Sequence, residues 1–185
     1  ARLGGVRVRH PYGVPDGEVP TVSSWATPEE ERRLVEGTLR WPLEEEKVPL
    51  GRIVVVGTRR LEKSFLAGAP KLWGLPVETI DDSGLTPGEG AVRYSTLQRF
   101  KGLEADVVLL VDVDGSPHAC TPVHLHVAAS RARHRLYVFA RQGVELGGVR
   151  VGRGDRQRLH ALGGRDIGRQ LQRRPLDGCQ VLAIV

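Results

Sequence analysis

The apolar residues of this chain fall into short, β-branched runs separated by polar, turn-forming segments. Ile53-Val54-Val55-Val56, ending at Gly57, is continuous rather than alternating, the pattern of a strand covered on both faces. Asp106-Val107-Val108-Leu109-Leu110-Val111-Asp112 is a second such run and the strongest strand signal in the sequence. Further strands are predicted at 76–80, 92–96 and 135–140. Helix signals lie between them. Thr27-Pro28-Glu29-Glu30 combines a hydroxyl N-cap, proline at the first helical position and acids in the first turn. The helix it starts is predicted to run to about residue 40, with Leu34, Val35 and Leu39 on one side. Other helices are predicted at 59–66, after a Thr58 cap, and at 122–133. Strands alternating with helices imply βαβ crossovers and a mainly parallel sheet with helices on its faces, an α/β fold.

The rest of the chain is less regular. Residues 1–26 carry Gly and Pro without a sustained period and are expected to be a loop-rich lead-in, with a short strand at 6–8. The run 44–47 is expected as a solvated loop or helix end, and 81–90 as a turn-rich loop. Residues 141–185 are a Gly/Arg-rich tail of uncertain structure, with one helix signal near 155–162 and no evident place in the sheet. The body of the fold is therefore expected at 27–140.

Composition narrows the class. At 185 residues, with 40% apolar and 26% charged residues, the chain suits one soluble globular domain with a sizeable core. No window approaches the roughly 18 apolar residues of a membrane span, and the N-terminus lacks a signal-peptide pattern. Cys120 and Cys179 are too few for a disulfide scaffold or zinc site, so a reducing, cytoplasmic setting is expected. With no methionine, the chain is expected to be a fragment or a processed piece. Its net charge of +5 lies wholly in the tail: residues 141–185 hold nine Arg against four acids, while residues 1–140 balance 18 against 18. A basic tail can follow nucleic-acid phosphates; equally, with only four Lys among 27 basic residues, the Arg excess fits a GC-rich genome.

Two segments carry candidate chemistry. In Thr96-Leu97-Gln98-Arg99-Phe100-Lys101-Gly102-Leu103-Glu104-Ala105-Asp106-Val107-Val108, a Lys-Gly-Leu-Glu turn directly precedes a buried strand. Gly102 permits positive φ or close backbone approach. Glu104 presents an acceptor at the sheet edge, suited to ribose hydroxyls, while Thr96 and Gln98 can donate to a phosphate or base. In Val127-Ala128-Ala129-Ser130-Arg131-Ala132-Arg133-His134-Arg135-Leu136-Tyr137-Val138, small residues let a helix pack close to the sheet, and Arg131 offers a rigid fork fitted to phosphate oxygens. Either segment alone also fits a solvated loop or a basic helix end.

Taken together, in this order and spacing, the two segments closely resemble motifs V and VI of superfamily 1 DNA helicases of the UvrD/Rep type. The resemblance spans roughly residues 20–140 and is most specific over 94–138. It implies a RecA-like, P-loop NTPase-type domain: the second, C-terminal motor domain of an ATP-dependent helicase. In that family the Gly and Glu of the turn contact nucleotide, which implies Gly102 and Glu104, with Lys101 a lesser candidate. The motif VI arginine acts as an arginine finger on the γ-phosphate, which implies Arg131 as the catalytic residue. The Thr and the residue two places on contact single-stranded DNA, which implies Thr96 and Gln98. The family often has His at the latter place; Gln keeps a donor and an acceptor but does not titrate.

The chain has no Gly-x-x-x-x-Gly-Lys-Ser/Thr, no Asp-Glu pair after an apolar strand, and no Asn-Tyr-Arg motif IV. It is therefore expected to hold one wall of an ATP site. ATP and Mg²⁺ would be shared with an N-terminal RecA-like domain of the same protein, single-stranded DNA would be the other partner, and no membrane is involved. The alternative is a non-catalytic nucleic-acid-binding or regulatory module derived from the same fold. No metal site is expected. His124 and His126 lack companion ligands, and Asp112 and Asp114 fit turn caps before Gly115 better than a Mg²⁺ site. Trp25, Trp41 and Trp73 are expected to be packing anchors.

Overall fold

The structure, a computed structural model, describes residues 20–80, 90–117, 121, 128, 130–146, 149–150, 157–161 and 181–184, the last three stretches as backbone. Helix α1 (Pro28–Glu44) begins where its capping signals place it. Thr27 is extended, its hydroxyl accepts the Glu30 N–H at 3.2 Å, and the Glu30 carboxylate accepts the Ala26 N–H at 2.8 Å. Such reciprocal bonds satisfy donors that an uncapped helix leaves open. The helix passes the predicted end at residue 40 and runs through the buried Pro42, so that Glu31, Val35, Leu39 and Pro42 form one inward stripe.

The described residues form eleven strands: β1 (Thr21–Trp25), β2 (Ile53–Gly57), β3 (Lys71–Leu72), β4 (Leu75–Thr79), β5 (Val92–Thr96), β6 (Ala105–Val113), β7 (Ala132–Arg141), β8 (Glu145–Leu146), β9 (Val149–Arg150), β10 (Gln157–Ala161) and β11 (Val181–Ile184). Strands β8 and β9 make a separate antiparallel hairpin; the others form one sheet in the order β11-β10-β1-β7-β6-β2-β5-β4-β3. From β1 to β4 every pairing is parallel, whereas β3 and β10 run antiparallel to β4 and β1. The RecA-like α/β sheet expected from the sequence is thus present, with α1 on one face.

The continuous runs are buried on both faces, as expected. Val54 and Val56 pack with Val108, Leu110, Leu136 and Val138 on one side, covered by Leu97, Phe100, Ala128 and Leu146. Ile53 and Val55 pack with Val107, Leu109, Val111 and Phe139 on the other, where α1 contributes Val35 and Leu39. Ala128 is helical and wholly buried, the close approach that a small side chain allows.

Several expectations are corrected. The predicted lead-in contains β1, which pairs with β7 over Thr21–Trp25. The helix signal near 155–162 is strand β10, and the tail reaches the sheet through β10 and β11. In place of a helix at 59–66 there is a single 3₁₀ turn, Leu61–Lys63, flanked by bends. Thr58 does not cap it: its hydroxyl donates to the Asp112 carbonyl at 2.6 Å, tying the end of β2 to β6. The helix predicted at 122–133 does not include its last residues, since β7 begins at Ala132, and residues 122–127 and 129 lie outside the described residues. Of the tryptophans, Trp25 is buried, but Trp41 and Trp73 are 54% and 44% exposed and anchor no core. The predicted strand at 6–8, nearly all of the 81–90 loop, His124 and His126 lie outside the described residues.

Candidate functional site

Parallel pairing puts the strand starts at one end of the sheet and the strand ends at the other. Gly57 is level with Thr96 on β5 and Val111 on β6. Ala105, the first residue of β6, is paired with Ala132, the first residue of β7. Val111 lies six steps along the strand from Ala105, so Thr96 and Glu104 lie at opposite ends, roughly 20 Å apart along the strand direction.

The connection between those ends is short. Residues 97–104 carry the chain from β5 across β2 to β6. Leu97 and Phe100 are buried on the sheet face, while Gln98, Arg99, Lys101, Gly102, Leu103 and Glu104 are exposed. Thr96 organises its start. Its hydroxyl accepts the Arg99 N–H at 3.4 Å and its carbonyl accepts the Phe100 N–H at 2.9 Å. Gly102 has φ +94°, a left-handed conformation that costs a β-carbon residue dearly, and this turns Glu104 toward the start of β6.

At that end, motifs V and VI meet. The Ala105 N–H donates to the Arg131 carbonyl at 3.1 Å, and the Arg131 N–H to the Ala128 carbonyl at 3.2 Å. The Glu104 carboxylate accepts the Arg133 Nε–H at 2.8 Å. Gly51, Arg52, Gly102, Leu103, Glu104, Ala105, Asp106 and Arg133 line an open cleft of about 450 Å³. Arg52 donates to Asp106 at 3.2 Å on its other side. The cleft holds two guanidinium–carboxylate pairs and two glycines, a polar surface whose charges balance.

Of the residues singled out in the sequence, Gly102 and Glu104 line this cleft. Arg131 stands next to it, joined through its carbonyl to Ala105; its side chain is half-buried, and its Nε is buried with no partner among the described residues. A buried donor without an acceptor costs about 1–3 kcal/mol, and Arg131 is not among the residues that line the cleft. Lys101 is exposed on the same turn but does not line the cleft. Thr96 and Gln98 belong to the far end of the sheet. Sequence reasoning missed Arg52, Asp106 and Arg133. Among the described residues, no cluster of three or more His, Cys, Asp or Glu is arranged to hold a metal ion.

The opposite end carries a buried polar knot. Glu31 of α1, 1% exposed, accepts the Asp112 N–H at 2.6 Å. Asp112, itself 5% exposed and at φ +57°, accepts the Phe65 N–H at 3.0 Å with one carboxylate oxygen, while the other has no partner among the described residues. Burial, then the neighbouring Asp112 charge, pushes the Glu31 carboxyl up to about 9; burial raises Asp112 to about 6. Burial, and then Asp112, also raises the Tyr94 phenol, whose hydroxyl donates to the Arg59 carbonyl at 2.7 Å. Asp114 caps its own turn by accepting the Ser116 N–H at 3.0 Å and pairs with Arg59.

Comparison with known proteins agrees with these motifs. Residues 91–139 match the UvrD-like helicase C-terminal domain family, bearing out the resemblance at its most specific part. Twelve chains of solved structures match. One is the C-terminal domain of a possible DNA helicase from Lactobacillus plantarum WCFS1: 20% identical, covering 74% of this chain and 83% of that one, with a TM-score of 0.54. At that identity the likeness concerns the fold. None of the curated proteins matches. Among the described residues no helix is long and apolar enough to cross a membrane.

Proposed function

We propose that this chain is the second motor domain of an ATP-dependent superfamily 1 DNA helicase and forms one wall of a nucleotide site completed by an N-terminal RecA-like domain. The observation that carries the reading is the meeting of both motifs at one open end of the sheet: the Ala105 N–H bonded to the Arg131 carbonyl, beside the Glu104–Arg133 pair. The family match over 91–139 and the fold shared with a domain described as part of a possible DNA helicase point the same way.

The chain's own residues suit that wall. Glu104 presents carboxylate oxygens to sugar hydroxyls, and Gly102 lets a ligand approach its backbone. Arg131, half-buried beside the cleft, would supply the arginine finger through the terminal nitrogens of its guanidinium. Such a finger is worth about 10³–10⁵ in phosphoryl-transfer rate, because the reaction depends mostly on positioning and charge neutralisation. Mg²⁺, which neutralises phosphate charge when bound, would be held by the partner domain. Thr96 and Gln98 face single-stranded DNA at the other end of the sheet. The isolated chain is catalytically silent on this reading, and measurable ATP turnover by the pure chain overturns that point.

The decisive experiment is Arg131→Ala in the intact protein, with DNA-stimulated ATP hydrolysis and single-stranded DNA affinity measured side by side. Hydrolysis is expected to fall by about 10³ or more, with affinity changing much less. Equal loss of both refutes the assignment.

A further inference from the structure

We infer that Arg133 is a positioning residue for Glu104, so that the Arg133–Glu104 pair sets how strongly the site distinguishes ribose from deoxyribose nucleotides. The inference rests on the proposed reading of the cleft as a nucleotide wall and adds to it a residue and a specificity.

Glu104 sits on an exposed turn, two residues after a left-handed glycine, and ends in a long, freely rotating side chain. Left to itself, such a carboxylate samples many rotamers, and ordering it on ligand binding costs free energy. Arg133 removes much of that freedom. It lies on the second residue of β7, whose start is fixed against β6 by the Ala105–Ala132 pairing and the Ala105–Arg131 backbone bond. Its Nε–H meets Glu104 Oε2 at 2.8 Å, within the range of a charge-assisted bond, and both residues line the same cleft. Contact through Nε and one oxygen leaves Oε1 outside the pair. An ionised carboxylate only accepts hydrogen bonds, so the complementary ligand group is a hydroxyl, and a sugar lacking that hydroxyl forfeits the bond. Both partners are substantially exposed, with side-chain exposures of 62% and 44%, and exposed ion pairs add little to stability. Variants of the pair are therefore expected to fold.

The test uses the intact protein and compares kcat/KM for ATP, 2′-deoxy-ATP and 3′-deoxy-ATP. The unaltered protein is expected to prefer ATP over at least one deoxy analogue. Arg133→Ala should narrow that preference by roughly three- to tenfold, the size of one weakened charge-assisted hydrogen bond, chiefly through KM for ATP. Arg133→Lys should keep part of the preference. Adding Arg133→Ala to Glu104→Ala should narrow it no further, because the two act as one unit. Arg40→Ala, which breaks an exposed ion pair on α1 outside the cleft, should leave the sugar preference unchanged. An unaltered preference in Arg133→Ala, additive effects in the double variant, or no preference in the unaltered protein overturns the inference. If Arg131→Ala abolishes hydrolysis while Arg133→Ala leaves sugar preference intact, only this inference fails. If Arg131→Ala leaves hydrolysis intact, the motor reading itself fails.

Discussion

Replacing Glu31 by Gln should make the chain more stable at neutral and alkaline pH, although it alters a wholly buried residue. Glu31 is 1% exposed, with Asp112, Asp114 and Arg59 as its charged neighbours, and burial together with Asp112 raises its carboxyl to about 9. The unfolded chain releases that proton near 4.5, so between 4.5 and 9 the folded state holds a proton that the unfolded state has lost. Stability therefore falls as pH rises through that window. Asp112, raised to about 6, adds a decline of the same sign between its ordinary value of 3.8 and 6. Each pH unit is worth about 1.4 kcal/mol per group, so Glu31 alone accounts for about 3 kcal/mol between pH 6 and 8.5. Against a total of about 5–15 kcal/mol for a folded domain, that is a large share. Glutamine keeps the oxygen that accepts the Asp112 N–H and cannot ionise, so it retains the bond and removes the titration. Urea unfolding followed by tryptophan fluorescence, with the buried Trp25 as reporter, should show a stability gap between variant and parent that widens from pH 6 to 8.5. A parent whose stability rises over that range, or a variant that is the less stable of the two at pH 8.5, refutes the reasoning.

Two further substitutions probe the same framework. A β-carbon at Gly57 would lie 1.8 Å from the Tyr94 hydroxyl and 2.6 Å from its ring, and Tyr94 is fully buried; Gly57→Ala should therefore cost about 2–4 kcal/mol in urea unfolding, combining overpacking with a displaced hydroxyl bond. A loss under about 0.5 kcal/mol would mean that Tyr94 moves freely. Thr27→Ala removes the acceptor for the Glu30 N–H and should cost about 1 kcal/mol, whereas Thr27→Ser should cost little; equal losses would show that the hydroxyl does not cap α1.

How legible each element was depended on whether its determinants are local. The strands β2, β5 and β6 and the start of α1 could be read directly, because burial on both faces demands an unbroken apolar run and a capped helix declares itself within four residues. Strand β1 could not: Thr21-Val22-Ser23-Ser24-Trp25 holds two serines, buried because β7 supplies their backbone partners, and that information lies over a hundred residues away. The segment 59–66 has helical composition, yet the Thr58 hydroxyl goes to Asp112 and the Phe65 N–H to the Asp112 carboxylate, so long-range bonds outweigh local propensity. In the site, the motif residues Gly102 and Glu104 could be found from spacing. Arg133 was overlooked because a helix extended to residue 133 turns it away from the face that a strand begun at 132 gives it.

The same geometry constrains how the proposed motor would couple its two ligands. Thr96 and Glu104 belong to one motif but stand at opposite ends of the sheet, so no ligand touches both. What joins them is residues 97–104, a connection of eight residues where a crossover between parallel strands usually takes a dozen or more. So short a link has little slack, and Leu97 and Phe100, 3% and 1% exposed, pin its first half in the core. Its ends are pinned as well, by the Leu97 N–H on the Gly57 carbonyl at 3.1 Å and the Ala105 N–H on the Arg131 carbonyl at 3.1 Å. A cleft that closes on Glu104 and Arg131 can therefore reach Thr96 only by shifting a packed unit, since the exposed residues of the turn have no independent path through the core. On this reasoning Phe100, which touches neither ligand, is where nucleotide and DNA responses would be uncoupled. Phe100→Leu in the intact protein should weaken DNA stimulation of hydrolysis severalfold while leaving basal hydrolysis and DNA affinity nearly unchanged. A parallel fall in all three would show loss of fold rather than loss of coupling.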